Sequence, residues 1–529
     1  MSSPSRRAVL RGLALAAAAS AVPLPALAAS PASALAASPA SALSASPAGY
    51  VPPLRQMRGM WIASVVNINW PSRTGLTPEQ QQAEFTAWLD LAVARRLNSV
   101  FVQIRPTADA FWPSPYEPWS QYLTGVQGQD PGYDPLGFAV EAAHRRGLAF
   151  HAWFNPYRVS MQADPAKLHP GHPGRRHPEW IVPYGGKLYY NPGIPEVRAF
   201  VQDAMMDAVT RYDIDGVHFD DYFYPVNTTA FDDSAAYAAY GAGFPDLAAW
   251  RRGNVDLLVR EMQQRVRQAK PEVIWGIGPS GIWRNEATDP LGSDTSGGQS
   301  YDNLHADTRG WVKKGWLDYI APQLYWYIGQ SNADYAKLVP WWSGVTAGTG
   351  VQLWIGQAAY KAGTAGQPDE WFQPDELSRH LTLNRDHPEV GGDIWYNAAD
   401  VRDDRLGSIG AVVSGHYTRP ALAPLLPRLA GGEPPRRPVL ASAHRVSGGV
   451  ELQVEATGPR APFQFAVFRF DRPARRQDFA DAAHLVAVVP AAGHVRWVDP
   501  DGAPGHRYHV TAVDRASRHS EPSRERRVR

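Results

Sequence analysis

The sequence predicts an α/β fold, a (β/α)8 TIM barrel followed by a small all-β sandwich, on three observations. Between Met57 and Asn397, eight short runs rich in β-branched and aromatic residues alternate with amphipathic stretches, as when helices wrap a parallel sheet. The intervening stretches carry helix start and stop signals. Beyond Pro420 the texture changes to short β-rich runs among clustered Pro and Gly, the pattern of antiparallel sheets.

Taken in order, the chain opens with Arg6 and Arg7 before an apolar stretch from Leu13 to Val22, and Ala26-Leu27-Ala28 supplies a small-x-small cleavage pattern. Residues 1–28 therefore read as a twin-arginine-type signal peptide, and the apolar run is far short of the roughly 20 residues of a membrane span. Residues 29–50 repeat a unit of Ser, Pro and Ala that has little to bury, and they read as a linker. The expected barrel domain covers 51–422. Its strands fall at 58–66, 98–104, 148–154, 214–219, 273–279, 318–324, 351–357 and 392–397. Thr77-Pro78-Glu79-Gln80 is a capping box with proline at the first helical position, and Phe85, Trp88, Leu89, Ala92 and Val93 keep the helical period behind it. Asp134-Pro135 starts the next helix and Gly147 stops it. Strand-like runs at 439–446, 450–456, 463–470, 484–489 and 494–498, with a closing segment at 506–523, make 433–529 a small β domain. That closing segment resembles the last strands of fibronectin type III modules.

Composition narrows the function. Lys and Arg number 52 against 51 for Asp and Glu, so a sequence-independent grip on nucleic acid or an anionic membrane is not expected. With no cysteine, disulfides, thiolate metal sites and a cysteine nucleophile are excluded together. The 19 Trp and 22 Tyr exceed what an ordinary core needs, so part of the aromatic load is expected to face a ligand. The pattern calls for no cofactor and no metal. Flat indole faces in such number suit a polysaccharide or glycan strand as the partner, and no stable membrane insertion is expected once the signal is removed.

In a (β/α)8 barrel the catalytic groups stand at the carboxyl ends of the strands. Those ends carry Arg105 and Asp109, then Trp153, Asn155 and Arg158, then Asp220 and Asp221, then Trp283, Gln323, Tyr325, Trp326, Tyr360, Tyr396 and Asn397. Strand four gives the sharpest signal. Side chains alternate along a strand, so His218 and Asp220 share a face, which the barrel makes the inner one. Two neighbouring carboxylates raise each other's proton affinity, which leaves one ionised and one protonated. Glycoside hydrolysis needs such a second carboxyl group; Asp221 is the near candidate, and Asp302 and Asp109 are the distant ones. Trp61, Trp70, Trp112, Trp153, Trp283, Trp326 and Trp395 lie near strand ends, where indoles can stack on sugar rings or pack the core.

Five segments, RGMWIASVVNINWP (58–71), VFVQIRPTADAFWPS (100–114), IDGVHFDDYFYP (214–225), YDNLHADTRGWV (301–312) and DYIAPQLYW (318–326), together resemble the bacterial glycosyl hydrolase-like proteins related to family 10. The resemblance implies a barrel, export and activity on glycans; one member type is a periplasmic glycosidase of denuded peptidoglycan strands. It points to Asp220 and Asp221, surrounded by Arg105, Asp109, Asn155, Asp302, Gln323 and Tyr325. True family 10 xylanases use paired glutamates, whereas aspartates stand here. The competing reading is a glycan-binding protein on the same scaffold without turnover.

Overall fold

The structure, a computed structural model, describes Tyr50 and residues 52–529. The signal peptide and all but the last residue of the linker lie outside the described residues. Eight parallel strands close a barrel in chain order: Met57–Ile62, Ser99–Arg105, Ala149–Phe154, Gly216–Phe219, Ile274–Ile277, Tyr319–Ile320, Gln352–Gln357 and Val390–Trp395. Closure is made by the last strand pairing with the first, with Met57 opposite Gly392 and Met60 opposite Trp395. All eight expected strands form.

Two of them end early for local reasons. The first stops at Ile62 because Val65–Asn67 turn into a 3-10 helix, with Val66 at φ 46° and Asn67 at φ 55°. The sixth is cut to Tyr319–Ile320 because Pro322 follows, and a proline cannot donate to the ladder. Isolated bridges from Gln323 to Ser280 and to Gly356 carry the wall onward. The first helix, Pro78–Ala94, starts at the anticipated capping box, with the Thr77 side chain accepting from the Gln80 backbone and the Gln80 side chain accepting in return. Asp134 caps Pro135–His144 by accepting from the backbone of Gly137 at 3.0 Å.

Aromatic rings fill the barrel. Tyr319 stacks on Trp354 at 3.9 Å, Phe101 on His151 at 4.1 Å, and His218 lies parallel to Tyr319 at 6.1 Å. Glycine makes room for this layer. A Cβ at Gly216 would stand 2.3 Å from the His151 ring, and one at Gly276 would stand 2.4 Å from the Tyr319 ring. Outside the barrel, Trp70, Phe85, Leu89, Val100 and Ile104 belong to the larger core between strands and helices.

A three-stranded antiparallel sheet, Arg158–Ser160, Ile181–Tyr184 and Lys187–Tyr190, is inserted after the third barrel strand. Sequence reasoning did not anticipate it. Its strands have only three or four residues each, too short for periodicity to register. Beyond the barrel, Val439–Val446, Gly449–Glu455 and His494–Asp499 form one antiparallel sheet. Gln464–Phe470, Leu485–Pro490, Arg507–Val513 and Arg526–Arg527 form a second. Leu440, Val450 and Leu452 of the first share a core with Phe465, Val467, Tyr508 and Val510 of the second. Arg515 reaches back to Asp213 at 2.6 Å, and Arg518 to Glu272 at 2.6 Å. Among the described residues, no helix is long and apolar enough to cross a membrane.

Candidate active site

Asp220 follows the fourth strand directly, one alternation step beyond His218. Its side chain turns inward at the barrel mouth and meets donors from the neighbouring third strand. Trp153 Nε1 donates to Oδ2 at 3.0 Å, and Asn155 Nδ2 lies 2.7 Å from both carboxylate oxygens. The backbone N–H of Tyr222 donates to Oδ1 at 3.2 Å. Asn155 is itself fixed, because its Oδ1 accepts from Gln103 at 2.5 Å and from Arg158 at 3.0 Å. Gln103 in turn accepts from the backbone of Ser64 and Val65. A relay of buried amides thus ties the turn after the first strand to the Asp220 carboxylate. Such support is what holds a reactive group in one geometry.

Electrostatics then separates the two carboxyl groups. Burial raises the proton affinity of Asp220 above the ordinary aspartate range, against the pull of the Arg158 guanidinium, Asn155, the Tyr222 N–H and Trp153. Asp221 is raised to about 7 by burial and then by the charge of Asp220, with Gln323 opposing. Asp220 has the donors and the cation, so of the two it ionises first, and its charge then holds the proton on Asp221. One ionised and one protonated carboxyl group side by side is the arrangement that acid–base cleavage needs.

Tyrosines surround the pair. Tyr222 is 42% exposed, with the Arg158 guanidinium 4.9 Å from its ring centre. Tyr325, Tyr360 and Tyr396 form a triangle with ring separations of 5.6, 6.0 and 5.9 Å, and Trp61 meets Tyr396 at 6.1 Å. All three tyrosines are half-buried, as are Gln323 and Trp326. Gln323 donates to the carbonyl of Gly278 at 2.7 Å.

Several expected ligand contacts are turned to other work. His218 is wholly buried: its Nε2 accepts from Trp61 Nε1 at 3.0 Å, which leaves Nδ1–H to donate to the Tyr319 hydroxyl at 2.9 Å. Burial and then His151 push its proton affinity well below the ordinary imidazole range, so it is a neutral strut. Neither nitrogen is free. Arg105 does not face the mouth. The ladder shifts register between Gln103 and Arg105, and Arg105 forms a fully buried fork with Glu117 at 2.7 and 2.5 Å. Asp109 is enclosed near Ser120, Thr107 and Gln127, and burial raises it to about 7. Asp302 is held by both ends of the Arg284 fork, at 2.9 and 2.7 Å. Both of its oxygens are thus engaged by a guanidinium.

Most of the tryptophans near strand ends take the core-packing alternative. Trp61, Trp70, Trp112, Trp153, Trp283 and Trp395 are all buried. Trp283 donates to Asp307 at 3.0 Å and lies parallel to Trp341; Trp153 is spent on Asp220. Asn397 caps the helix Ala398–Asp403, accepting from Ala399 at 3.0 Å and from Asn69 at 2.8 Å. Sequence reasoning missed two contributors. Gln103 could have been found as a lone amide in a buried apolar strand, and Tyr222 as the aromatic beside the acid pair.

A family model for glycosyl hydrolase-like 10 matches residues 56–373. The chain belongs to that family. It is 47% identical over 406 residues to glycosyl hydrolase YngK of Bacillus subtilis strain 168, covering 76% of this chain and 79% of that protein. It is 40% identical over 366 residues to glycosyl hydrolase DigH of Escherichia coli K12, covering 64% of this chain and 82% of the relative. Among solved structures, the glycoside hydrolase domain of PgaB (BpsB) from Bordetella bronchiseptica aligns with 68% of this chain and 98% of its own, at 13% identity and a TM-score of 0.45.

Proposed function

We propose that this chain is an exported glycoside hydrolase that cleaves O-glycosidic bonds of a bacterial cell-wall or extracellular polysaccharide. The observation that carries the reading is the Asp220–Asp221 pair, an anion and an acid side by side at the mouth of a closed barrel. Asp221 protonates the leaving oxygen as the glycosidic bond breaks, and the Asp220 carboxylate balances the positive charge that develops on the sugar. The half-buried tyrosines and Trp326 supply flat apolar faces and hydroxyl groups suited to a glycan chain. Family membership, with relatives named glycosyl hydrolases, supports the same chemistry.

Peptidoglycan strands free of stem peptides are the substrate we favour, on the family resemblance. The signal-like amino terminus supports twin-arginine export, to the periplasm or beyond, and we read the terminal β domain as a fibronectin type III-like module. Incubating the protein with intact and peptide-free peptidoglycan, beside a polysaccharide panel, and weighing the products tests the assignment. Release of defined oligosaccharides from at least one polymer is expected. Tight binding without turnover on every polymer would identify a glycan-binding protein instead.

A further inference from the structure

Asp220 is the only ionised carboxylate assigned to the bond-breaking site, yet its surroundings leave it little freedom to attack. Oδ1 already receives Asn155 and the Tyr222 N–H, and Oδ2 receives Asn155 and Trp153. A carboxylate offers about four lone-pair sites, and protein donors lie against both oxygens. Forming an ester to a sugar carbon would strip away donors that the Gln103–Asn155 relay holds in place. The geometry suits a fixed charge rather than a nucleophile.

A water attacking from the far side of the sugar would need another unprotonated base. Asp302 is tied to Arg284 and Asp109 is enclosed, so neither distant candidate is available. With both distant candidates engaged, the substrate itself can supply the nucleophile. Tyr325 and Tyr396 stand near the pair; burial first, and then neighbouring charges that include Asp221 and Asp220, raise their proton affinity. Their hydroxyl groups make no hydrogen bond to other described residues, and both side chains are partly exposed.

We infer that the site works by neighbouring-group participation on 2-acetamido sugars, with Asp220 as a fixed counter-charge and Asp221 as the proton carrier. This inference rests on the glycosidase reading above. The acetamido carbonyl oxygen attacks the anomeric carbon as the glycosidic C–O bond breaks. The bonding pair leaves with the glycosidic oxygen, which takes the proton of Asp221. The resulting oxazolinium ion carries one positive charge, opposite the Asp220 carboxylate. Water then attacks the same carbon, gives a proton to Asp221, and the ring reopens to the acetamide. The anomeric configuration is retained. Tyr325 and Tyr396 donate to the acetamido oxygen and hold it under the anomeric carbon.

The test starts from any N-acetylated glycan that the panel shows to be cut. That polymer is N-deacetylated, then re-acylated with acetyl or with trifluoroacetyl groups. Cleavage is expected to fall at least about 100-fold in the free amine and the trifluoroacetamide, whose carbonyl is a weak nucleophile, and to return with the acetyl group. The released sugar, followed by NMR, should carry the starting anomeric configuration. Equal cleavage of the acetyl and trifluoroacetyl polymers, inversion of configuration, or cleavage confined to polymers without acetamido groups would each overturn the inference and leave the glycosidase reading standing. No cleavage of any polymer would overturn the glycosidase reading itself.

Discussion

Replacing Trp153 by Phe deletes one N–H and keeps an aromatic ring, so it separates two roles for this side chain. The indole donates to Asp220 Oδ2 at 3.0 Å and is only 5% exposed, which leaves almost no face for a sugar. A hydrogen bond to a charged group contributes about 1.5–3 kcal/mol. At 1.36 kcal/mol per pKa unit, its loss raises the proton affinity of Asp220 by about 1–2 units. The anion is then lost at higher pH, so the acidic limb of kcat/KM should move up by about 1–2 units, a limb that belongs to the coupled pair. At a fixed pH on that limb, activity should fall about 10- to 100-fold. The assay is a pH–rate profile on the polymer identified by the panel, with thermal unfolding as a control for the smaller ring. An unmoved acidic limb with only KM raised would show that Trp153 is a binding platform and would refute this account of Asp220.

Asp220→Asn should lower kcat by about 10²–10³, the usual loss when a preorganised electrostatic partner is removed, with the circular dichroism spectrum unchanged; wild-type turnover would remove Asp220 from the site. Asp302→Asn should leave kcat within about threefold, since its partner is Arg284 on a partly exposed loop, and a loss like that of Asp220→Asn would restore it as the acid. Asp393 is buried in the last strand, where Oδ1 accepts from Gln357 and Asn384, and burial raises it to about 7. An unfolded aspartate titrates near 4, so the native state holds the extra proton between roughly pH 4 and 7, and the stability this gives is lost as pH rises through that window. Asn keeps the acceptor without the charge. Asp393→Asn should therefore be more stable than the parent at pH 8, by about 2–4 kcal/mol, and nearly equal to it at pH 4; a lower melting temperature at pH 8 would contradict the assignment.

The barrel was legible because its strands are buried on both faces and read as dense apolar runs. Alternation on the fourth strand alone brought His218 and Asp220 to the same face. What escaped was the use made of each polar group. Pattern cannot tell that the Trp61 and Trp153 N–H groups are committed inward, because an indole at a strand end looks alike whether it stacks on a sugar or donates to a side chain. Arg105 was placed at the mouth by counting, and a one-residue slip in the ladder sends it to Glu117. Asp302 lies in a segment whose ion pair with Arg284 joins residues 18 positions apart, and sequence spacing does not reveal such a partner. The inserted sheet from Arg158 to Tyr190 was hidden by the brevity of its strands.

The most direct test of the central claim is the release of reducing ends by Asp221→Asn, measured on the cleaved polymer beside the parent protein. Asp221 carries the proton that frees the leaving oxygen, so release should fall at least about 100-fold while thermal unfolding stays within a few degrees of the parent. Undiminished release from that variant would contradict the account.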